Sequence, residues 1–186
     1  MTQFTLGDYH IMSVTRPQPF SEFGLSPGEL YFIVVGTEWA ALFSEDRSRI
    51  ADALAGSSVD IQHIGSTAIP GITAKPVLDV AVAIRDFESG PALVPSLVAL
   101  GYTYLGENGI PRRHYFERDG AYHLHIFEQE SFHWLRHLRF RDLLLASPEL
   151  AARYSQIKLA AARKSDGDRE RYQDLKASFI EEIQNL

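Results

Sequence analysis

Apolar residues recur along this chain at two spacings, one typical of strands and the other typical of helices. The strand pattern is clearest at residues 59–64 and 77–84, two short apolar stretches that we predict to be neighbouring strands. A β-hairpin is predicted at residues 112–117 and 122–127, because Arg118-Asp119-Gly120 supplies a turn between them. The chain is therefore expected to build a sheet around these four segments.

Helical spacing dominates much of the remaining chain, and shorter strand patterns lie at residues 30–35 and 102–105. Thr37 is expected to cap the first helix, which should cover one face of the sheet. The predicted helices span residues 38–54, 87–100, 131–145, 147–163 and 168–183.

The second strand of the hairpin carries two different faces. Alternation places Tyr122, Leu124 and Ile126 on one face, and His123, His125 and Phe127 on the other. The first set is expected to pack under helices, which would leave the two histidines on an open side.

Residues 1–30 are treated as an N-terminal extension, and residues 31–186 as one domain. Tyr9 to Val14 could form a strand, and Pro17, Pro19 and Pro27 interrupt the rest of the extension. An added edge strand and an arm that packs on a second copy of the chain are the two alternatives for this segment, so a homo-oligomer is one expectation.

Composition narrows the class of protein. The 186 residues contain no cysteine, which excludes disulfides, thiolate nucleophiles and cysteine-based zinc sites. The net charge of −6 argues against an extended nucleic-acid-binding surface. No apolar stretch approaches the length of a membrane span, and no secretory pattern opens the sequence. We therefore expect a cytoplasmic protein with no membrane partner.

Asp79 is the anomaly of the pattern, because it is the single charge in the apolar strand 77–84. A carboxylate in such surroundings needs a compensating cation. Lys75, another basic residue and a bound metal ion are the alternatives, and carboxylate oxygens suit Mg²⁺.

A small polar turn precedes this strand. Gly65 allows close approach of the backbone, and Ser66 and Thr67 offer hydroxyls that could hold a phosphate group. His63 stands directly before the turn, where hydrogen bonding to a loop carbonyl competes with a role in the site.

These residues resemble the GrpB family, which is placed in the nucleotidyltransferase superfamily of the DNA polymerase β type. The likeness runs from about residue 33 to the C-terminal helix. The matching positions are His63 to Thr67, Pro70-Gly71, Ala74 to Pro76, Asp79, His123 to Ile126, Phe140 to Asp142, Tyr154, Lys158, Tyr172 and Lys176.

The resemblance implies an α+β, nucleotidyltransferase-like fold: a mixed β-sheet with flanking helices and a helical C-terminal part. It implies transfer of a nucleoside monophosphate from a nucleoside triphosphate to an unknown acceptor, with Mg²⁺ or Mn²⁺ as cofactor. Asp79 would bind the metal, Ser66 would hold phosphate, and Lys75 or Arg113 would stabilise developing charge. Members of the superfamily place a second carboxylate two residues further on, whereas this chain has Ala81.

The histidine strand supplies the next candidates. His123 and His125 point in one direction and could complete a metal site with Asp79, or could be two half-exposed strand histidines. His125 is also a candidate catalytic residue.

Four further residues are candidates for nucleotide binding. Arg112 or Arg113 could neutralise triphosphate charge, and the alternative is a pair of ordinary surface arginines. Tyr154 and Lys158 lie one helical turn apart, so they would form an aromatic and basic wall, or the tyrosine would only cover the lysine stem.

Two other functions compete with nucleotidyl transfer. Ala81 favours a nucleotide-binding module without catalysis. A metal-dependent phosphohydrolase that uses Asp79, His123 and His125 is the other alternative.

Overall fold

A computed structural model of the chain describes residues 3–6, 9–12, 16–17, 32–55, 57, 59–166 and 168–184. These residues contain nine strands and five α-helices. The strands are β1 (Gln3–Leu6), β2 (Tyr9–Met12), β3 (Ile33–Val34), β4 (Asp60–Ile64), β5 (Thr73–Ala74), β6 (Leu78–Ile84), β7 (Thr103–Tyr104), β8 (His114–Arg118) and β9 (Tyr122–Glu128). The helices are α1 (Glu38–Ala53), α2 (Val94–Ala99), α3 (Phe132–Ala146), α4 (Pro148–Ser165) and α5 (Arg169–Gln184).

A five-stranded mixed sheet is the centre of the fold, with strand order β4-β6-β9-β8-β7. Strands β6 and β9 are parallel, and the other neighbours are antiparallel. The predictions of neighbouring strands at β4 and β6 and of a hairpin at β8 and β9 are confirmed. The α+β class and the mixed sheet are also confirmed.

The main hydrophobic core lies on one face of this sheet. Alternate residues of β6, such as Val80 and Val82, pack there against Trp39 and Ile50 of α1. Leu124 and Ile126 of β9 are fully buried in the same core, as their alternation predicted. Burial of this apolar face fixes the register of the sheet, because a slip of one residue would expose it.

The opposite face of the sheet is covered by α3. Its buried Trp134 packs with Phe127 of β9 and with Ala81 and Ala83 of β6 in a second, smaller cluster. Ser131 caps this helix by accepting a hydrogen bond from the Trp134 amide at 3.4 Å. The position of α3 therefore decides how much of the Asp79 face remains accessible.

Several predicted elements differ from the structure in detail. The stretch 87–100 is a 3₁₀ helix over Phe87–Leu93 followed by α2, because Pro91 lies inside it and cannot donate an α-helical hydrogen bond. Thr37 stands at the start of α1 but makes no side-chain capping bond. The strand predicted at 102–105 is shortened to Thr103–Tyr104.

The N-terminal segment is described only in part. Strands β1 and β2 pair antiparallel with each other, and β2 covers the first four residues of the strand expected from Tyr9 to Val14. The interruptions predicted at Pro19 and Pro27 lie outside the described residues. In the described part of the chain, no helix combines the length and apolar character that crossing a bilayer requires.

Candidate functional site

Asp79 lies beside both histidines of β9. Parallel pairing places Asp79 directly opposite His123 and places Ala81 opposite His125. Asp79 Oδ1 is 3.2 Å from His123 Nδ1 and 3.5 Å from His125 Nε2. The structure therefore brings the strand carboxylate and the histidine strand together, and their role as one site stays a prediction.

The environment keeps Asp79 ionised. Burial alone would raise the pKa of this carboxyl, but hydrogen bonds from His123 and His125 outweigh burial and hold the pKa well below its usual value. Among the described residues Asp79 pairs with these imidazoles and with no lysine or arginine. The side chain is 24% exposed, so the carboxylate can still receive a ligand from solvent.

The prediction that both histidines face an open side was wrong for His125. His125 is 8% exposed, because α3 packs over this end of β9. The His137 ring of α3 lies 6.1 Å from the His125 ring, centre to centre. Burial lowers the pKa of His125 and lowers that of His137 to about 4, so both imidazoles are neutral at pH 7.

Position 81 has no room for a second carboxylate. Ala81 is fully buried and packs in the cluster formed with Trp134 and Phe127. On the neighbouring strand β8, Glu117 pairs in register with His123. A site with two carboxylates on β6 is therefore absent from this chain.

Gly65 brings the turn into contact with Asp79. Its φ is +70°, and a Cβ placed there would stand 2.3 Å from Asp79 Oδ2. Only glycine allows both this backbone conformation and this close approach. The turn continues as a 3₁₀ helix of three residues, Ser66–Ala68.

Ser66 connects this turn to α4. Its hydroxyl is 3.2 Å from Lys158 Nζ, which also lies 4.4 Å from the centre of the Tyr154 ring. Lys158 is 2% exposed and Tyr154 is 5% exposed. Ser66, Tyr154 and Lys158, which were separate candidates for nucleotide binding, are thus brought together, and Gly65 joins them to Asp79.

Two further lysines lie around a second tyrosine. Lys75 Nζ and Lys176 Nζ are 4.5 Å and 4.4 Å from the centre of the Tyr172 ring. The charge of Lys176 acts on Lys158 and lowers its pKa further than burial alone. Lys75, predicted to stabilise charge near Asp79, is therefore placed beside the α5 tyrosine.

His63 faces the other side of the sheet from Asp79. It pairs in register with Val80, stacks on Phe43 of α1 and contacts the Thr67 hydroxyl at 3.1 Å. That hydroxyl donates to the Val77 carbonyl at 2.8 Å, so His63 Nε2 must be the donor to Thr67. His63 and Thr67 therefore support the turn from the α1 side of the sheet. The hydrogen-bond acceptor of His63 is the Thr67 hydroxyl, whereas the sequence suggested a loop carbonyl.

The two arginines predicted to bind nucleotide lie in different environments. Arg113 is buried beside His125, with its Nη1 3.4 Å from His125 Nδ1 and its Nη2 donating to the Asn108 carbonyl at 2.8 Å. Arg112 forms ion pairs with Glu128 at 2.9 Å and Glu88 at 3.5 Å. Arg113 therefore belongs to the Asp79 face, and Arg112 is already neutralised by two carboxylates.

Sequence reasoning missed His137, Glu117 and Arg141 near the site. Arg141 of α3 donates to the Gln62 side chain at 2.9 Å and to the His63 carbonyl at 3.0 Å. Helical spacing identifies the faces of α3, but it does not say which face meets β4 and β9. The Phe140-Arg141-Asp142 motif was the available signal for Arg141.

The side chains at Asp79 fit a metal ion. One ligand atom from each of Asp79, His123 and His125 lies within 4.8 Å of the others. One carboxylate and two imidazoles suit Mn²⁺, Fe²⁺, Co²⁺ or Zn²⁺ better than Mg²⁺, which prefers oxygen ligands.

Comparison with known proteins gives a consistent family. The family model described as GrpB protein matches residues 34–185. A Bacillus subtilis protein named UPF0157 protein YqkA is 38% identical over 74% of this chain, and the matched segment spans 41% of that relative. The glutamate-rich protein GrpB of Alkalihalophilus pseudofirmus is 29% identical over 87% of this chain and 98% of its own length.

A solved structure that matches this chain comes from the same family. The crystal structure of the conserved protein GrpB from Enterococcus faecalis matches with a TM-score of 0.76 at 28% identity. The match covers 83% of this chain and 94% of that chain.

Proposed function

The chain belongs to the GrpB family, whose function is not established, and we propose that it is a metal-dependent nucleotidyltransferase. The observation that carries this proposal is that Gly65-Ser66 touches Asp79 on one side and Lys158 on the other. A carboxylate able to hold a metal thus lies next to a hydroxyl and an amine able to hold phosphate. The reaction would attach a nucleoside monophosphate to an acceptor and release pyrophosphate.

Each residue has a role in this proposal. Asp79 and His123 would hold the metal ion, which would polarise the transferred phosphoryl group. Ser66 and Lys158 would bind the phosphates of the leaving group, and Arg113 lies on the same face as a fixed positive charge. The proposed metal is Mn²⁺ or another transition ion, with Mg²⁺ binding more weakly because one of the two protein ligands is an imidazole.

His125 fits a proton-donating role better than a ligand role. Arg113 can only donate, so the neutral imidazole accepts at Nδ1 and carries its proton on Nε2, towards Asp79. To bind a metal through Nε2, His125 would need its proton on Nδ1, where it would face the guanidinium. We therefore assign Arg113 the role of orienting His125 as a hydrogen-bond donor to Asp79.

Phosphoester hydrolysis is the second candidate function, and Ala81 favours it. A fully buried alanine replaces the second carboxylate of a two-metal site. A single metal held by one carboxylate and one imidazole suits activation of a water molecule. The same alanine at the position of the second carboxylate also favours a nucleotide-binding module without turnover.

One assay separates these functions. The protein is incubated with each nucleoside triphosphate labelled at the α-phosphate, with Mg²⁺ or Mn²⁺ and a small-molecule cell extract as the source of acceptors. Pyrophosphate release with label in a new species supports transfer, inorganic phosphate release supports hydrolysis, and binding without turnover supports the module.

Two variants make the assay specific. Asp79→Asn should abolish activity and metal binding, whereas Asp52→Asn on the exposed side of α1 should leave both unchanged. Transfer that persists in the folded Asp79→Asn variant would contradict the proposal. Circular dichroism of both variants reports whether they are folded.

A further inference from the structure

Arg141 of α3 is held by three hydrogen-bond acceptors. Its Nη1 donates to the His63 carbonyl at 3.0 Å and to the Gln62 side chain at 2.9 Å, both on β4. Its Nε donates to the Asp142 carboxylate at 2.8 Å, and the Arg141 side chain is only 16% exposed. Because the donors of a planar guanidinium are fixed relative to one another, these three bonds set both its position and its orientation.

The bond to the His63 carbonyl lies just before the turn at the candidate site. β4 is the outer strand of its sheet and pairs only with β6 among the described strands, so part of its backbone needs other hydrogen-bond partners. Only Ile64 separates His63 from Gly65, the glycine that packs against Asp79. Arg141 therefore fixes the chain two residues before that contact.

The turn is supported from both faces of the sheet. On the α1 side, the Thr67 hydroxyl joins the His63 ring to the Val77 carbonyl. α3 covers the opposite face, and Arg141 reaches the end of β4 from there. Each residue of the turn has two soft backbone dihedrals, so the direction of the chain after His63 needs such supports. Without Arg141 the turn would be held from the α1 side alone.

We propose that Arg141 is a positioning residue for the candidate site. It holds the turn in the place where Gly65 packs against Asp79. The same placement keeps the Ser66 hydroxyl 3.2 Å from Lys158 Nζ. Arg141 acts through the backbone of β4, so it is not itself a ligand of the metal or of phosphate. The inference rests on the proposed function for the reaction, but the placement of the turn can be measured without nucleotide or metal.

Amide hydrogen exchange of the metal-free chain, followed by NMR, tests the placement directly. The Ile69 amide donates to the Ser66 carbonyl at 3.2 Å, so its exchange rate reports opening of the turn. Arg141→Met should raise this rate by about 10- to 100-fold, because two hydrogen bonds from a charged group to β4 are lost. Arg139→Met removes an exposed arginine from the same helix and should leave the rate unchanged.

A second measurement separates positioning from a purely structural role. Arg141→Met should weaken Mn²⁺ binding, measured by calorimetry, by about 10- to 100-fold, because the turn no longer restrains the Asp79 carboxylate. Arg141→Lys keeps the charge and a donor for the His63 carbonyl, so it should recover part of the affinity. In the transfer assay kcat should fall more than KM rises, because a displaced turn misaligns the reacting groups.

The outcomes separate this inference from nucleotidyl transfer. An unchanged Ile69 exchange rate in Arg141→Met, or an equal increase in Arg139→Met, would overturn the positioning role. Faster exchange with wild-type Mn²⁺ affinity and wild-type kcat would also overturn it, because the contact would then be only structural.

Faster exchange with weakened Mn²⁺ binding, in a chain that transfers no nucleotide, would leave the positioning role standing while the proposed function fails. The absence of Mn²⁺ binding by the wild-type chain would overturn both. If Arg141→Met fails to fold, Arg141→Lys carries the same tests, with smaller changes in the same directions.

Discussion

Replacing Gly65 with alanine should damage the site through Asp79 while leaving the rest of the fold in place. The added Cβ would stand 2.3 Å from Asp79 Oδ2, and an ordinary van der Waals contact starts near 3.4 Å. The carboxylate must therefore move by about 1.1 Å, which is the difference between these two distances. A displacement of about 1 Å in a functional group can cost on the order of 10²-fold in activity.

Backbone strain adds to this clash. Gly65 has φ 70° and ψ −171°, a region that side chains other than glycine scarcely occupy. The strain costs about 1–3 kcal/mol in stability. Gly65→Ala should therefore lower the free energy of unfolding by at least that amount and weaken Mn²⁺ binding by about 10- to 100-fold.

Gly71 provides the matched control. Its φ is +82°, but a Cβ placed there would meet no atom within 4 Å. Gly71→Ala should thus lose stability through strain alone and keep the wild-type affinity for Mn²⁺. Urea denaturation measures stability and calorimetry measures metal affinity. Equal losses of stability in the two variants, with normal Mn²⁺ binding by Gly65→Ala, would refute the contact between Gly65 and Asp79.

Three other predictions concern stability, each read by urea denaturation. Burial lowers the pKa of His63 from 6.5 to about 4. The contribution of His63 to the free energy of unfolding is therefore complete above pH 6.5 and is lost as the pH falls towards 4. At about 1.4 kcal/mol per pKa unit the loss is roughly 3 kcal/mol, and His63→Gln should remove that part of the acid sensitivity. Asp46→Ala should cost about 3–5 kcal/mol, because it leaves the buried Arg118 without its partner at 2.7 Å, whereas the exposed Asp52→Ala should cost little. Trp134→Ala should cost about 3–5 kcal/mol by emptying the cluster under α3, and a loss below 1 kcal/mol would contradict that packing.

Local pattern predicted most of the elements correctly. Strands β4, β6, β8 and β9 and helices α1, α3, α4 and α5 lie where the spacing of apolar residues placed them. These segments could be predicted because each buries a single face, so its apolar residues recur at a regular spacing. The stretch 87–100 was harder, since prolines disturb the period without saying whether a 3₁₀ or an α-helix results.

The candidate site was predictable only where its residues are close in sequence or share a motif. Gly65, Ser66 and Asp79 stood out because small residues and a lone charge interrupt apolar strands. The role of His137 was not visible, because nothing in the sequence of α3 shows which of its faces meets His125. The same limit misplaced His63, whose position beside the turn concealed that its ring faces α1.

By itself the sequence determined the elements and the short motif at Asp79, because these depend on the order of residues within one segment. The tertiary structure alone decided that β6 lies parallel to β9, that α3 closes over His125 and that Lys158 meets Ser66. These contacts join residues far apart in the chain, and their existence depends on how several amphipathic faces are buried at once. No single segment contains that information, so the surroundings of Asp79 emerge only when the whole core is packed.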